Sequence, residues 1–373
     1  MTWNWQRSDW PAFRWKAAAL AGFEAQFLLN SGTLIGTTKH LDADTRQTVL
    51  VDRLTGEALK TSEIEGELLD RDSVQSSIMG YLGLQSPQAR ISPAERGISE
   101  LLIDLHRQYR DPLTDETLFH WHGLVTNGRA DLREIARYRS QSDPMQVVSG
   151  GTYKPRVHFE APPAHAMPVE MAAFIKWFNQ TGPDSAQPLS PLSRAGIAHL
   201  YFVSIHPFED GNGRIARALA EKALAQGIGQ PTLLALSQTI QRQRNAYYDA
   251  LEANNKDTEI TAWLEYFCTT VIEAQCQTQI MIDFMIEKTK LYDRIRGALN
   301  ERQLRALTRM FREGPEGFKG GLSASNYITI TGAARATATR DLNDLVEKGA
   351  LVQTGTLKAT RYWLAFGWLA SHY

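Results

Sequence analysis

The sequence predicts a mainly α-helical fold: a helical bundle broken by one β-hairpin, followed by a winged-helix domain at the C-terminus. Three observations carry that prediction. Apolar residues recur at helical spacing through most of the first 290 positions. Two β-prone runs flank Gly150 and Gly151. The last stretch reads as three helices followed by two alternating strands around Gly355, the element order of a winged helix.

In chain order, Trp3, Trp5, Trp10 and Trp15 mark a small cap, with a helix expected over Ala12–Leu29 and its indoles packed on the main body. Helical text runs from Asp42 to Ile78 with a break near Gly66, then through Glu95–Tyr109 and Asp115–Thr126. The runs Gln146–Val148 and Arg156–Phe159 are the expected hairpin. Helices resume over Met167–Asn179, Pro191–Ser204, Asn212–Gln226, Gln238–Ala253 and Glu259–Glu287. Leu299–Arg312 and Ala334–Lys348 are helices of the last unit, joined through a glycine-bearing connection and a middle helix. The expected division is a cap over 1–40, a helical region over 41–90, a core over 91–290 and a C-terminal domain over 295–373.

Bulk properties exclude several classes. With 43% hydrophobic and 22% charged residues, this is the composition of an ordinary globular protein. A net charge of −1 gives no global attraction to nucleic acid or anionic membrane. The cysteines, Cys268 and Cys276, have neither redox-pair nor metal-knuckle spacing and are expected as buried thiols. The N-terminus does not read as a signal peptide, and no apolar run is long enough to span a membrane; a cytoplasmic location is expected.

Chemistry concentrates in His206–Arg217, HPFEDGNGRIAR, between two helical runs. Gly211 and Gly213 let the backbone approach a ligand, and the first amides of the next helix point outward to take a phosphate. Arg214 and Arg217, three apart, share one side of the first turn and can grip that anion. Asp210 is placed to hold Mg2+, and His206 is the group suited to accept a proton near neutrality. No Walker A loop or dinucleotide fingerprint is present.

This segment resembles the Fic motif HxFx[DE]GNGRxxR at every specified position, and the resemblance takes in roughly residues 45–275. It implies a Fic bundle whose hairpin is a flap that aligns the target chain by strand addition. It implies ATP as co-substrate and Mg2+ as cofactor. His206 would be the base, Asp210 the metal ligand, and Phe208 a core anchor. Gly211, Asn212 and Gly213 would hold the α-phosphate, Arg214 and Arg217 the outer phosphates. The nucleotide site would further include Glu65, Val148, Ser149 and Gly150, Ile215 and Ala216, and, in a helix similar to the family's YYxxLExxN, Tyr247, Tyr248 and Asn255. His158 reads as a strand residue of the flap. With Gly-Asn-Gly retained, AMP transfer to Ser, Thr or Tyr hydroxyls of proteins, the chain itself included, is the implied reaction.

Upstream, Thr61, Glu65 and Gly66 are similar to the inhibitory motif [ST]xxxE[GN] of Fic proteins. The resemblance pairs Glu65 with Arg217 and denies that arginine to the γ-phosphate. Thr61 and Glu65 share a helical face, whereas Glu63 and Glu67 are expected to point elsewhere. Two alternatives stay open: hydrolytic removal of AMP at the same loop, and a DNA-binding regulator. The latter rests on ten Lys/Arg against six Asp/Glu over Leu299–Phe366. Arg335, Thr337, Thr339 and Arg340 would lie on the recognition helix and Lys358 and Arg361 on the wing. A homodimer is compatible with either.

Overall fold

Helix signals at the start of each apolar run are used much as written. In the computed structural model, which describes residues 2–85, 89–150, 156–232, 234–315 and 317–366, the chain divides into two compact units. One comprises Met1–Thr37 and Leu50–Gln277, the other Thr38–Val49 and Thr278–Tyr373. One division falls inside the continuous helix over Thr261–Ile295, which no glycine or proline interrupts.

The helices of the first stretch are α1 (Ala17–Lys39), α2 (Ala43–Ile64), α3 (Arg71–Tyr81), α4 (Pro93–Gln108) and α5 (Asp115–Val125). Asp70 caps α3 by accepting from Ser73 N, and Thr114 caps α5 through Thr117 N. Ser92 and Glu95 form a capping box on α4, with Pro93 in its first turn. The hairpin follows as β1 (Gln146–Ser149) and β2 (Arg156–Glu160), antiparallel, with a register shift between Val147 and Val148. Then come α6 (Met167–Gln180), α7 (Pro191–Ile205), α8 (Asn212–Ile228), α9 (Leu236–Arg242), α10 (Arg244–Ala253) and α11 (Thr261–Ile295). The expected single helix over Gln238–Ala253 is two, broken at Gln243.

Helices α7 and α8 are the centre of this unit, and most residues of both are buried. In α7 that burial matches a largely apolar sequence, whereas α8 buries Arg214, Arg217 and Lys222 as well as its apolar side chains. Helix α4 approaches α5 closely at Gly97, where an added Cβ would stand 2.0 Å from the Leu124 carbonyl oxygen. Gly97→Ala is therefore expected to destabilise the fold by at least about 1–3 kcal/mol, read as a lowered Tm in thermal unfolding, because backbone rather than a mobile side chain must yield.

The tryptophan segment packs on the body as expected, but its helix starts later than Ala12. Arg14 pairs instead with the 258–260 strand-like segment, its N–H donating to Thr258 O and its carbonyl accepting from Ile260 N. A single tertiary backbone bridge at Arg14 thus accompanies the late start of the helix at Ala17. Trp3 packs edge-on against Phe159, and the Trp5 and Trp10 indoles donate to Glu160 O and Glu170. Cys268 is buried, its thiol pushed up to about 12 by burial, whereas Cys276 is exposed and corrects the expectation of two buried thiols.

The second unit contains α12 (Glu301–Arg312), α13 (Ala324–Thr331), α14 (Arg335–Glu347), and the antiparallel strands β3 (Leu351–Thr354) and β4 (Arg361–Leu364). This is the element order expected from the sequence. Leu307, Tyr327, Leu342, Leu345 and Leu351 form its core, and buried Asp341 accepts from Tyr327 Oη and Arg302. Arg335, Thr339, Arg340 and Lys358 are exposed, and Thr337 and Arg361 half-buried.

Candidate active site

The central loop is shaped by the end of α7 and the start of α8. His206 closes α7 in the left-handed region (φ 51°), strain of about 1 kcal/mol or more for a non-glycine residue. Arg139 supports this bend: its Nε donates to His206 O at 2.8 Å and its N–H to Pro207 O at 2.9 Å. Sequence spacing gave no sign of Arg139, which lies 67 residues away. Phe208 is fully buried and stacks on His122 at 4.1 Å, confirming it as an anchor.

Burial pushes the His206 imidazole down to about 4, with Arg139 adding to the shift and Glu65 and Asp210 opposing it. Its Nδ1 faces Val203 O at 3.3 Å. Held near 4, the ring is neutral at pH 7, and a proton on Nδ1 leaves Nε2 as the acceptor.

Gly211 (φ 82°) is the N-cap of α8, and an added Cβ would meet Val125 at 2.8 Å. The amides of the first turn have no acceptor within the helix. Asn212 differs from its expected role in one respect: its side chain is spent on the loop itself. Oδ1 accepts from Phe208 N and Nδ2 donates to Phe208 O, and the residue is 2% exposed. Only its backbone N–H faces an incoming anion. The side chains of Ile215 and Ala216 are fully buried, and the Ile215 N–H already donates to Gly211 O.

Burial alone would raise the Asp210 carboxyl, but Arg214, the Gly211 amide and Arg129 hold it below the usual range. Arg129 Nη1 donates to Asp210 Oδ2 at 2.5 Å, and Asp131 holds the same guanidinium. No group of three or more potential protein ligands for a metal occurs among the described residues. A single carboxylate beside a phosphate site nevertheless fits Mg2+, which keeps waters and takes phosphate oxygens for most of its shell.

Both arginines are nearly buried and both are engaged from the α2 terminus. Arg217 donates through Nε to Thr61 Oγ1, and through Nη2 to Thr61 O and Glu65 Oε1, each at 2.8 Å. Glu65 lies over Gly213, where a Cβ would come within 2.2 Å of Oε1. The carboxylate thus stands beside the start of α8. Arg214 donates through Nη1 to Glu67 Oε2 and to Val125 O, both at 2.9 Å.

Glu67 was expected to point away; instead it holds the other arginine. The reason is that α2 stops at Ile64, and Gly66 (φ 87°) turns the chain, so helical periodicity no longer sets where residue 67 points. Glu63 does face elsewhere, onto Lys60 and Gln241. Arg214 Nε and Arg217 Nη1 are buried donors without a protein partner, suiting the pair to an anion.

Helix α10 borders the same region. Tyr248 Oη donates to Ile64 O at 3.3 Å, and Tyr248 remains partly exposed. Tyr247 is buried on His199 at 3.2 Å, and Asn255 is buried with Nδ2 donating to His158 O at 2.9 Å. Tyr248 reaches the backbone of the Glu65 turn, and buried Tyr247 lies against the Glu65–Arg217 pair. Val148, Ser149 and Gly150 lie exposed at the end of β1; Gly151 lies outside the described residues.

Fold and loop together define a helical bundle whose central helix pair sets a helix N-terminus and two buried arginines beside a histidine. Residues 112–224 match the Fic/DOC family, and residues 3–84 match a domain of unknown function, DUF4172. The chain carries a Fic domain. It is 30% identical over 187 residues to a protein named protein adenylyltransferase Fic from Nematostella vectensis, covering 50% of this chain and 37% of that protein. It is 29% identical over 145 residues to protein adenylyltransferase fic-1 of Caenorhabditis elegans, covering 39% and 25%. The matches therefore span only about a third or a quarter of those relatives' lengths. In fold, the chain is similar to a Fic family protein from Desulfovibrio desulfuricans (TM-score 0.52, 21% identity, 94% of this chain and 96% of that one). It is also similar to Fic-1 of C. elegans (TM-score 0.50, 21% identity, 70% and 73%).

Proposed function

We propose that this chain is a protein adenylyltransferase that moves AMP from ATP to hydroxyl side chains of proteins, itself included, releasing pyrophosphate. The observation that carries the reading is a helix N-terminus with two buried arginines, each keeping an unpartnered donor, and a neutral imidazole at the same loop. The names of the relatives support the same reaction class.

In this reading His206 takes the proton of the incoming hydroxyl as oxygen attacks the α-phosphorus. The loop amides and the free edges of Arg214 and Arg217 hold the phosphates in line. Asp210 would hold Mg2+, after exchanging its Arg129 partner for the ion; the metal supplies charge neutralisation at the phosphates. Asn212 keeps the loop's shape. The Glu65–Arg217 contact holds the activity down, since the carboxylate stands over Gly213 beside the free Arg217 Nη1 and keeps the γ-phosphate from that donor.

Incubation with α-labelled ATP and Mg2+, alone and with lysate, tests the reading: label on the chain or on lysate proteins supports it, and none on either rejects it. Asp210→Ala and Arg214→Ala should each weaken Mg·ATP handling by about 1.5–3 kcal/mol, the cost of a lost charged hydrogen bond. Nucleotide titration and turnover measure it, and unchanged values in both variants would place the phosphates elsewhere. Exposed Arg335, Arg340 and Lys358 support a second reading, in which the C-terminal unit touches a DNA backbone. A gel-mobility assay at moderate salt tests that reading.

A further inference from the structure

The flap holds a second set of reactive side chains that the proposed mechanism does not use. Ser149, the last residue of β1, shares a 2.5 Å hydrogen bond with His158 Nε2 across the hairpin. On the other side of the ring, His158 Nδ1 lies 2.7 Å from Glu252 Oε2. A carboxylate on Nδ1 fixes the proton there and leaves Nε2 as an acceptor, so the serine hydroxyl donates to it. Nucleophile, base and orienting carboxylate therefore stand in sequence, the arrangement that activates a hydroxyl.

Two further contacts fit that hydroxyl to a phosphate. Arg156 is the cross-strand partner of Ser149 in the β1–β2 register, and its guanidinium also rests on Glu252 at 2.6 Å. A negative group on Ser149 would thus have a cation on the facing strand. The relay is also tied to the anion loop's surroundings through α10. Glu252 lies one turn after Tyr248 on the same helical face, and Tyr248 Oη reaches Ile64 O, next to Glu65. Asn255 holds His158 O from the same end of that helix. Pinning the flap to α10 needs only the contacts of Glu252 and Asn255; an exposed hydroxyl on Nε2 is an addition to it.

We propose that Ser149 is a modification site, the hydroxyl on which this chain places AMP when it modifies itself or a second copy. The proposal rests on the adenylyltransferase reading. Ser149 Oγ forms a bond to the α-phosphorus of ATP, the bond from that phosphorus to the bridging oxygen breaks, and pyrophosphate leaves. The hydroxyl proton passes to His158 Nε2, which stands in for His206 when Ser149 is the acceptor, and then to solvent. The product is a phosphodiester with one negative charge, facing Arg156.

The test uses the full chain carrying Glu65→Gly, incubated with ATP and Mg2+, digested and mapped by mass spectrometry. AMP is expected on Ser149. Adding Ser149→Ala removes it from that peptide, Ser149→Thr keeps it at the same position, and His158→Gln lowers it by about tenfold or more, as loss of a general base does. AMP found on other hydroxyls with Ser149 unmodified overturns the proposal and leaves the adenylyltransferase reading standing. No AMP on the chain or on any lysate protein overturns both.

Discussion

Glu65→Gly is expected to raise self-labelling with AMP by about tenfold to a hundredfold, the range that loss of one charged hydrogen bond of about 1.5–3 kcal/mol allows. Removing the carboxylate leaves Arg217 with only Thr61, both of whose contacts are neutral acceptors, and clears the space over Gly213. Glu63→Gly should leave labelling at the wild-type level, since its carboxylate engages Lys60 and Gln241. The geometry adds a refinement. Glu67 still engages Arg214 after Glu65 is gone, so the double change Glu65→Gly with Glu67→Gln should label more strongly than Glu65→Gly alone. Equal labelling by wild type and a folded Glu65→Gly variant would reduce the α2 terminus to a structural role.

His206→Ala should lower transfer to lysate proteins by about a hundredfold to ten-thousandfold, the usual worth of a positioned general base. Nucleotide affinity should hardly change, because the imidazole acts on a proton and the phosphates meet amides and guanidinium groups. Full transfer by the mutant would end the assignment. The pH dependence gives an independent check. Burial holds the folded imidazole down at about 4, so the ring stays an acceptor as pH falls and loses that capacity only on passing its own value. Transfer limited by this group should therefore stay nearly level from about pH 7 to about pH 5 and decline below, whereas an ordinary imidazole would decline near about 6.5. A decline centred at the ordinary value would show that another group, or a more solvated histidine, takes the proton.

Much of the site could be read along the chain because its parts are local. Twelve consecutive positions contain the histidine, the acid, the turn glycines and both arginines, and helix geometry alone brings those arginines to one side. Capping residues such as Ser92 and Thr114 likewise announce helices by short-range hydrogen bonds. The pairing of Glu65 with Arg217 is long-range, 152 residues apart, and was available only through resemblance to a known pattern.

What the sequence by itself determined was the helical bundle with its hairpin and the anion loop, since periodicity and turn chemistry are properties of neighbouring residues. Only the tertiary structure decided which distant groups complete the loop. Arg129 on Asp210, Arg139 under His206 and Glu67 on Arg214 come from segments whose local spacing is that of ordinary surface text. It also decided that Arg14 bridges to the 258–260 segment instead of continuing a helix, and that Asn212 turns its amide inward. The physical reason is the same in each case. A buried polar group must find a partner wherever the packed chain supplies one, and that supply is fixed by which segments meet in space, not by which residues follow one another.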